Sequence, residues 1–424
     1  MIFILKKNQI IIILFFLAFS LVGCEKVWNF ERDFKVNSEG LDGGILYVYS
    51  DRVYFQVDKR EKIKYKSVYD KYGNTIDQIV TEDWMKNSGD RLNRSYTELY
   101  RGFDNSETKL IFSKQAQNSS IAISEDKKTI YISTEFLDYK LAEVISDEDP
   151  NYDRKIYFYH LYKSVDCGNV FTEMDWPLYF SVRQLLFDDT GVYGYAVGGK
   201  RVLRRTSDGA KTWQAITIPR EFRLPIIRDR NNMPNISLEW DAFYFDKKTK
   251  TLYLSCFVHD PVEARKGKSI IYAVPWDDKL VDLNNLKPVA TIDNQFVTDI
   301  KLAGDGKFYL LTEVYPFDAY YTGMEAKVSN FIFLENNQIK ILHKFGKNYL
   351  LGAFYVGQDN LLYIIGMKST GIASYDDIAF ISHDNGQSWK EELEGSWGQG
   401  SYFDPKTNKA WLYKQGKLYS RIIK

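Results

Sequence analysis

One pattern recurs along this chain: an alternating apolar stretch, a short polar turn carrying Asp, Lys, Gly or Asn, then a second stretch centred on an aromatic residue. Period-two alternation broken by turn residues predicts β-hairpins. The copies run Tyr47–Tyr49 to Val53–Phe55, Ile121–Ile123 to Ile130–Ile132, and Leu185–Phe187 to Val192–Tyr193. They continue with Phe243–Phe245 to Leu252–Leu254, Ile300–Leu302 to Phe308–Leu310, Phe354–Val356 to Leu362–Ile364, and Tyr402–Phe403 to Ala410–Leu412. Aligned on the aromatic of the second stretch, they mark Tyr54, Tyr131, Tyr193, Tyr253, Tyr309, Tyr363 and Trp411. Over the last six the spacing is about 56 residues, within the range of radially repeated β-units.

A further turn follows each hairpin, so each unit carries four strands. In three units this turn has a common form. Ser382-His383-Asp384-Asn385-Gly386-Gln387-Ser388-Trp389 is the cleanest copy; Ser164-Val165-Asp166-Cys167-Gly168-Asn169-Val170-Phe171 closes on Phe, and Thr206-Ser207-Asp208-Gly209-Ala210-Lys211-Thr212-Trp213 has its Gly one place early. Asp carboxylate and Ser or Thr hydroxyl can accept from amides inside a tight turn, Gly permits positive φ, and the aromatic packs back over the strands. Degenerate turns stand at Asp277-Asp278, Glu335-Asn336-Asn337 and Gln415-Gly416.

The octapeptides resemble Asp-boxes, the markers of one kind of β-propeller. With the hairpin spacing this implies an all-β chain, a β-propeller of seven blades of four antiparallel strands, with six or eight as the neighbouring counts. A large β-sandwich or two stacked β domains is the competing architecture. No Pro/Gly/Ser-rich linker divides residues 41–424, which read as one domain. Short helices are conceivable only at 82–92 and 96–112, inside a first repeat of about 77 residues that must hold an insertion.

At the N-terminus, Lys6 and Lys7 precede an apolar run from Ile10 to Phe19, and Leu21-Val22-Gly23-Cys24 follows. This is the layout of a secretory signal over residues 1–23, with a signal-anchor helix as the alternative. The last four residues resemble a bacterial lipobox. The resemblance implies a mature protein lipidated on Cys24, a tether over 24–40, and, with Glu25 after the Cys, an outer-membrane anchor facing the periplasm. The remaining thiols, Cys167 and Cys256, read as lone cysteines, with a disulfide as the alternative.

The chain carries 31 Tyr and 27 Phe and has a formal net charge of zero. That is ample material for a core, without the like-signed patch that nucleic acid or a polybasic membrane surface demands. The four His are not spaced as ligand pairs, so neither metal nor cofactor is expected.

Asp-box propellers include sialidases, which resemblance would equip with three arginines, a Tyr–Glu pair and an Asp acid/base. Phe222-Arg223-Leu224-Pro225 is similar to the motif of the first arginine, but it follows two octapeptides rather than preceding them. No catalytic residue is assigned, and a non-enzyme is expected. Candidate partner-binding residues lie instead in insertions: acidic 145–154; 220–241, with Arg223, Arg228, Arg230 and Trp240; and 315–326, with Tyr315, Phe317, Tyr320 and Tyr321. Arg and aromatic side chains are the types most often found at interface centres. In layout the chain resembles the immunity lipoproteins that accompany type VI secretion lipase effectors. This implies a protein partner, a secreted toxin, bound by occlusion. A glycan-binding or sialidase-like lipoprotein and an envelope assembly factor are the alternatives.

Overall fold

The computed structural model describes residues 29–33, 41–49, 52–60, 65–69, 75–80, 95–103, 108–116, 118–124, 128–137, 157–176, 180–198, 202–217, 242–259, 267–276, 282–303, 307–314, 328–335, 338–346, 349–371, 374–393, 400–414 and 417–423. β1 (Asn29–Asp33) belongs to the last sheet of the chain. The first sheet is built from β2 (Leu41–Tyr49), β3 (Arg52–Arg60), β6 (Ser95–Phe103) and β7 (Lys109–Gln115), with the hairpin β4 (Tyr65–Tyr69) and β5 (Thr75–Val80) inserted between its second and third strands. The second holds β8 (Asn118–Ile123), β9 (Ile130–Leu137), β10 (Tyr157–Ser164) and β11 (Thr172–Met174). The third holds β12 (Val182–Phe187), β13 (Gly194–Gly198), β14 (Leu203–Thr206) and β15 (Gln214–Ala215).

The fourth sheet holds β16 (Ala242–Asp246), β17 (Thr251–His259), β18 (Gly267–Val274) and β19 (Ala290–Asp293). In the fifth are β20 (Phe296–Leu302), β21 (Phe308–Val314), β22 (Val328–Glu335) and β23 (Gln338–Lys344). The sixth comprises β24 (Tyr349–Val356), β25 (Leu362–Gly371), β26 (Ser374–Ser382) and β27 (Lys390–Leu393). Last come β28 (Gly400–Asp404), β29 (Lys409–Lys414) and β30 (Lys417–Ile422), completed by β1 from the other end of the chain. Among the described residues there are therefore seven four-stranded antiparallel sheets, six meandering through their strands in order and the seventh closed by β1 beside β30.

Each expected hairpin forms the first two strands of one sheet, with one shift. In the third sheet the second strand starts at Gly194, and the fully buried aromatic is Tyr195, not Tyr193, which sits in the turn. The conceivable helix at 96–112 is β6 and β7 instead; its Tyr and Leu positions alternate across a ladder, Tyr96 pairing Gln115 and Leu99 pairing Phe112. The 82–92 segment lies outside the described residues. Gln415-Gly416 joins the second and third strands of its sheet, not the third and fourth. The 24–40 segment is not all tether: Asn29 pairs Ser420 and Asp33 pairs Lys417, making β1 the outer strand of the seventh sheet.

The sheets pack face to face in a ring, and the core is the set of junctions between them. Tyr54 and Phe112 of the first meet Ile121 and Ile130 of the second. Tyr131 and Leu161 of the second meet Leu185 and Phe187 of the third, and Tyr195 and Leu203 of the third meet Phe245 and Leu252 of the fourth. Ile271 and Ile292 meet Val297 and Ile300; Phe331 and Phe345 meet Phe354 and Ile364; Tyr363 and Ala379 meet Phe403 and Ala410. β28 lies beside β2 and completes the circle.

A repeated aromatic contact explains the hairpin pattern. Tyr131 stacks on Phe187 with centroids 4.0 Å apart, Tyr363 on Phe403 at 4.9 Å, and Tyr195 meets Phe245 edge-on at 5.4 Å. In each, the Tyr on a second strand covers a Phe that ends the first strand of the following sheet. Such pairs contribute about 0.5–1.5 kcal/mol beyond burial of area.

Candidate functional site

The strand order divides the ring into two faces. Turns joining first to second and third to fourth strands emerge on one face, and connections from second to third strands and from sheet to sheet emerge on the other. Hydrogen bonds between the two turn classes mark the first face: Gly209 N donates to Val192 O at 3.0 Å, Cys167 N to Lys128 O at 2.9 Å, and Ile423 N to Asn408 O at 2.8 Å. We call it the turn face and the opposite one the loop face.

The turn face is held by side chains. In the three octapeptides the leading hydroxyl donates to the Asp Oδ1 (Ser164–Asp166 2.7 Å, Thr206–Asp208 2.9 Å, Ser382–Asp384 2.8 Å). It also accepts from the fifth-position amide, Gly168, Ala210 or Gly386. The Asp Oδ1 in turn accepts from the amides of Val170, Thr212 and Ser388. Positions four and five both take positive φ: Cys167 and Gly168, Gly209 and Ala210, Asn385 and Gly386. The early Gly of the second copy thus occupies one left-handed position, and Ala210 is forced into the other. The closing rings reach the core: Phe171 meets Phe112 edge-on, Trp213 meets Trp176, and Trp389 meets Phe331 while donating from Nε1 to Gly386 O.

The preceding sheet grips each octapeptide. Arg101 donates to Cys167 O and to Asn169 Oδ1, Tyr131 donates to Gly191 O and Gly209 O at 2.8 and 3.1 Å, and Tyr309 donates to Asn385 Oδ1 at 3.3 Å. Burial, with Asp188 and Asp208 nearby, raises the Tyr131 hydroxyl far above the usual phenol range. Burial also lowers Lys163, whose ammonium reaches Gly209 O. The turn carboxylates are held ionised. Hydrogen bonds from the Ser388 hydroxyl and amide bring Asp384 down to about 2; the Ser164 hydroxyl and Val170 amide lower Asp166; for Asp208 partial burial pulls upward but the bonds from Thr212 outweigh it.

A second turn motif went unread in the sequence. Phe187-Asp188, Phe245-Asp246 and Phe403-Asp404 end first strands, and each Asp caps the next turn. Asp246 accepts from Lys248 N and the Thr249 hydroxyl, Asp404 from Lys406 N and the Thr407 hydroxyl, Asp188 from Val192 N and the Thr190 hydroxyl. The signal was present as Phe-Asp-Lys-Lys-Thr-Lys and Phe-Asp-Pro-Lys-Thr-Asn. In both motifs the Asp carboxylates and the hydroxyls bond to one another and to amides within the same turn.

The loop face is built differently. The stretch between β3 and β6 with its inserted hairpin, and the connections β9–β10, β15–β16 and β21–β22, all start and end there. They contain the three insertions inferred from sequence. A long connection of the turn face, 275–289, carries a 3-10 turn at Leu283–Asn285 and buries Leu283 in the core. Arg223, Arg228, Arg230, Trp240, Tyr315, Phe317, Tyr320 and Tyr321 lie outside the described residues, as does Cys24.

Described residues add an aromatic patch at the loop-face end of the second sheet. Tyr157 and Tyr159 stack with centroids 6.2 Å apart, Phe136 and Phe158 lie at 6.3 Å, and Phe158 is 40% exposed. Beside them a small cleft is lined by Tyr159, Trp176, Phe180 and Glu135. Glu135 is buried and accepts from Asn118 Nδ2 at 2.8 Å and the Ser181 hydroxyl at 2.6 Å. The run Tyr157-Phe158-Tyr159-His160-Leu161-Tyr162 is the sequence signal for this patch, unread because it also serves as β10.

Two Tyr–Glu pairs stand among the described residues: Tyr100 donates to Glu98 Oε2 at 2.6 Å, and Tyr349 donates to Glu391 Oε2 while Lys368 holds Oε1 at 2.7 Å. Burial and Glu391 raise the Tyr349 phenol pKa, the opposite of what a phenolate nucleophile needs. Cys167 and Cys256 stand as thiols rather than as a disulfide. Among the described residues no helix is long and apolar enough to cross a membrane, and no group of three or more His, Cys, Asp or Glu is arranged to hold a metal ion.

No protein-family model and no curated protein matches the chain. Among solved structures, the GH74 xyloglucanase from Xanthomonas campestris is similar over 93% of this chain at 12% identity and a TM-score of 0.51; this chain spans 53% of that one. The fold is a β-propeller. The Swd1 β-propeller domain of Myceliophteria thermophila is similar over 94% of this chain and all of its own, at 9% identity and a TM-score of 0.48. YCF48 bound to a D1 peptide is similar over 78% of this chain and 89% of its own, at 10% identity and a TM-score of 0.44.

Proposed function

We propose that this propeller is a non-catalytic, lipid-anchored envelope protein that binds a protein partner through its loop face. The observation that carries the reading is the division of labour between faces: one is closed by Asp-capped turns whose polar groups are self-satisfied, the other gathers the long connections and a half-exposed aromatic patch. Rigid scaffolds that bind partners place variable loops in this way. We read the octapeptides as Asp-boxes and each four-stranded sheet as one blade, giving seven. The finer reading, an immunity protein that occludes a secreted lipase effector in the periplasm, rests on the lipobox and the layout of the chain.

The test is cross-linking capture with the anchored protein, comparing wild type, a loop-face double variant (Phe158→Ala with Tyr320→Ala) and a turn-face control (Gln387→Ala). Loss of the captured partner in the loop-face variant alone supports the reading; equal capture by all three refutes it. Inhibition of a lipase effector encoded beside this gene would bear out the immunity reading. A second reading, glycan binding, draws on the Tyr159–Trp176–Phe180 cleft with Glu135 at its base, since sugars stack on aromatic faces and bond to carboxylates. Titration with oligosaccharides, monitored by Trp176 fluorescence in wild type and Trp176→Phe, tests it.

A further inference from the structure

The direction of β1 fixes where the chain leaves the ring. β30 runs toward the turn face, since Ile423 N, just past its end, bonds Asn408 O in the β28–β29 turn. β1 is antiparallel to it, with Asn29 opposite Ser420 and Asp33 opposite Lys417, so β1 starts at the turn face and runs away from it. Asn29 therefore emerges at the outer rim of the turn face. Cys24 stands five residues upstream.

Resting on the reading that Cys24 is lipidated, we infer that the anchor holds the turn face, or the adjoining rim of the seventh sheet, against the bilayer and points the loop face away from it. Five residues reach at most about 18 Å when fully extended. The five residues of β1 themselves span about 17 Å along the rim. A lipidated Cys24 would consume its entire leash merely climbing to the level of the loop face, leaving no room for the long connections beneath the ring. On the turn face itself, acid and lysine meet in the Lys247–Asp189 ion pair at 3.2 Å. The loop face then fits a soluble protein arriving from the aqueous compartment, rather than a neighbour embedded in the same leaflet.

The experiment uses the full, processed chain in phosphatidylcholine vesicles carrying a headgroup energy acceptor. A donor fluorophore is placed on Val165→Cys, on the turn face, or Asp175→Cys, farther from that face just past the outer strand of the same sheet. The background is Cys167→Asn, the residue that stands at the same place in the third octapeptide; Cys256 is buried and stays. Transfer should be several-fold stronger from position 165 than from 175, and a 20-residue Gly/Ser insert after Lys26 should erase the difference. Mass spectrometry of the N-terminal peptide separates the two readings. Lipid on Cys24 with equal or stronger transfer from 175 overturns the orientation alone, whereas an unmodified Cys24 overturns the anchor and the orientation together.

Discussion

Replacing Tyr131 with Phe isolates one joint between neighbouring sheets. The ring stays stacked on Phe187, and only the hydroxyl is lost, together with its bonds to Gly191 O at 2.8 Å and Gly209 O at 3.1 Å. Gly209 O keeps the Lys163 ammonium at 3.2 Å, but for the buried Gly191 O the phenol is the partner the structure records. A lost intramolecular hydrogen bond costs about 1 kcal/mol net, and a buried acceptor left unmet about 1–3, so the variant should be less stable by about 2–3 kcal/mol. Tyr195 is the internal control: it occupies the same position one sheet on, but its buried hydroxyl has no hydrogen-bond partner. Tyr195→Phe removes an unmet polar group and should be neutral or stabilising by up to about 1 kcal/mol. Urea unfolding followed by tryptophan fluorescence measures both. If the two variants lie within about 0.5 kcal/mol of one another, the claim that the Tyr131 hydroxyl ties sheet to sheet is wrong.

Gly386→Ala places a Cβ 2.6 Å from Phe331 Cε1 on a residue at φ +83°, and should cost about 2–4 kcal/mol, whereas Gly352→Ala, with its nearest atom at 3.6 Å, should change stability by less than about 0.5; thermal unfolding of the pair decides. Asp384 has a folded-state pKa of about 2 against the ordinary 3.8, so its contribution is complete above about pH 4 and is lost as pH falls toward 2; Ser388→Ala should raise that pKa, and an unchanged carboxyl titration by NMR would refute the assignment. Deleting residues 25–33 exposes the outer edge of β30, and amide exchange should accelerate throughout 417–423; unchanged protection would show that β1 adds nothing to the ring.

The sequence revealed the first hairpin of every sheet because its alternation and its turn residues are local. It also exposed the octapeptides, whose Asp, hydroxyl and Gly act within eight residues. Tyr195 was missed in favour of Tyr193 because both stand in an aromatic-rich stretch, and only packing on Phe245 decides which one is buried. The Phe-Asp turns escaped for a similar reason: their Phe has meaning through a Tyr on another sheet. β1 could not be read at all from its own five residues, since nothing in Asn29–Asp33 announces a partner at Lys417–Ser420. As for the site, the insertions were visible as breaks in the repeat, but that they share one face follows only from strand order.

The pairing of β1 with β30 also sets a timetable. All other ladders in the ring join strands close in sequence and can form as the chain emerges, but this one joins residues separated by nearly the whole polypeptide. Until the last strand has been delivered, the seventh sheet lacks its edge and the ring is an open arc with an unmatched strand at each end. Long-range closure of this kind is slow, and exposed edges invite association with other chains. On the proposed reading of an exported chain anchored at Cys24, its most vulnerable interval would fall after the anchor is in place, with the two ends still in search of each other.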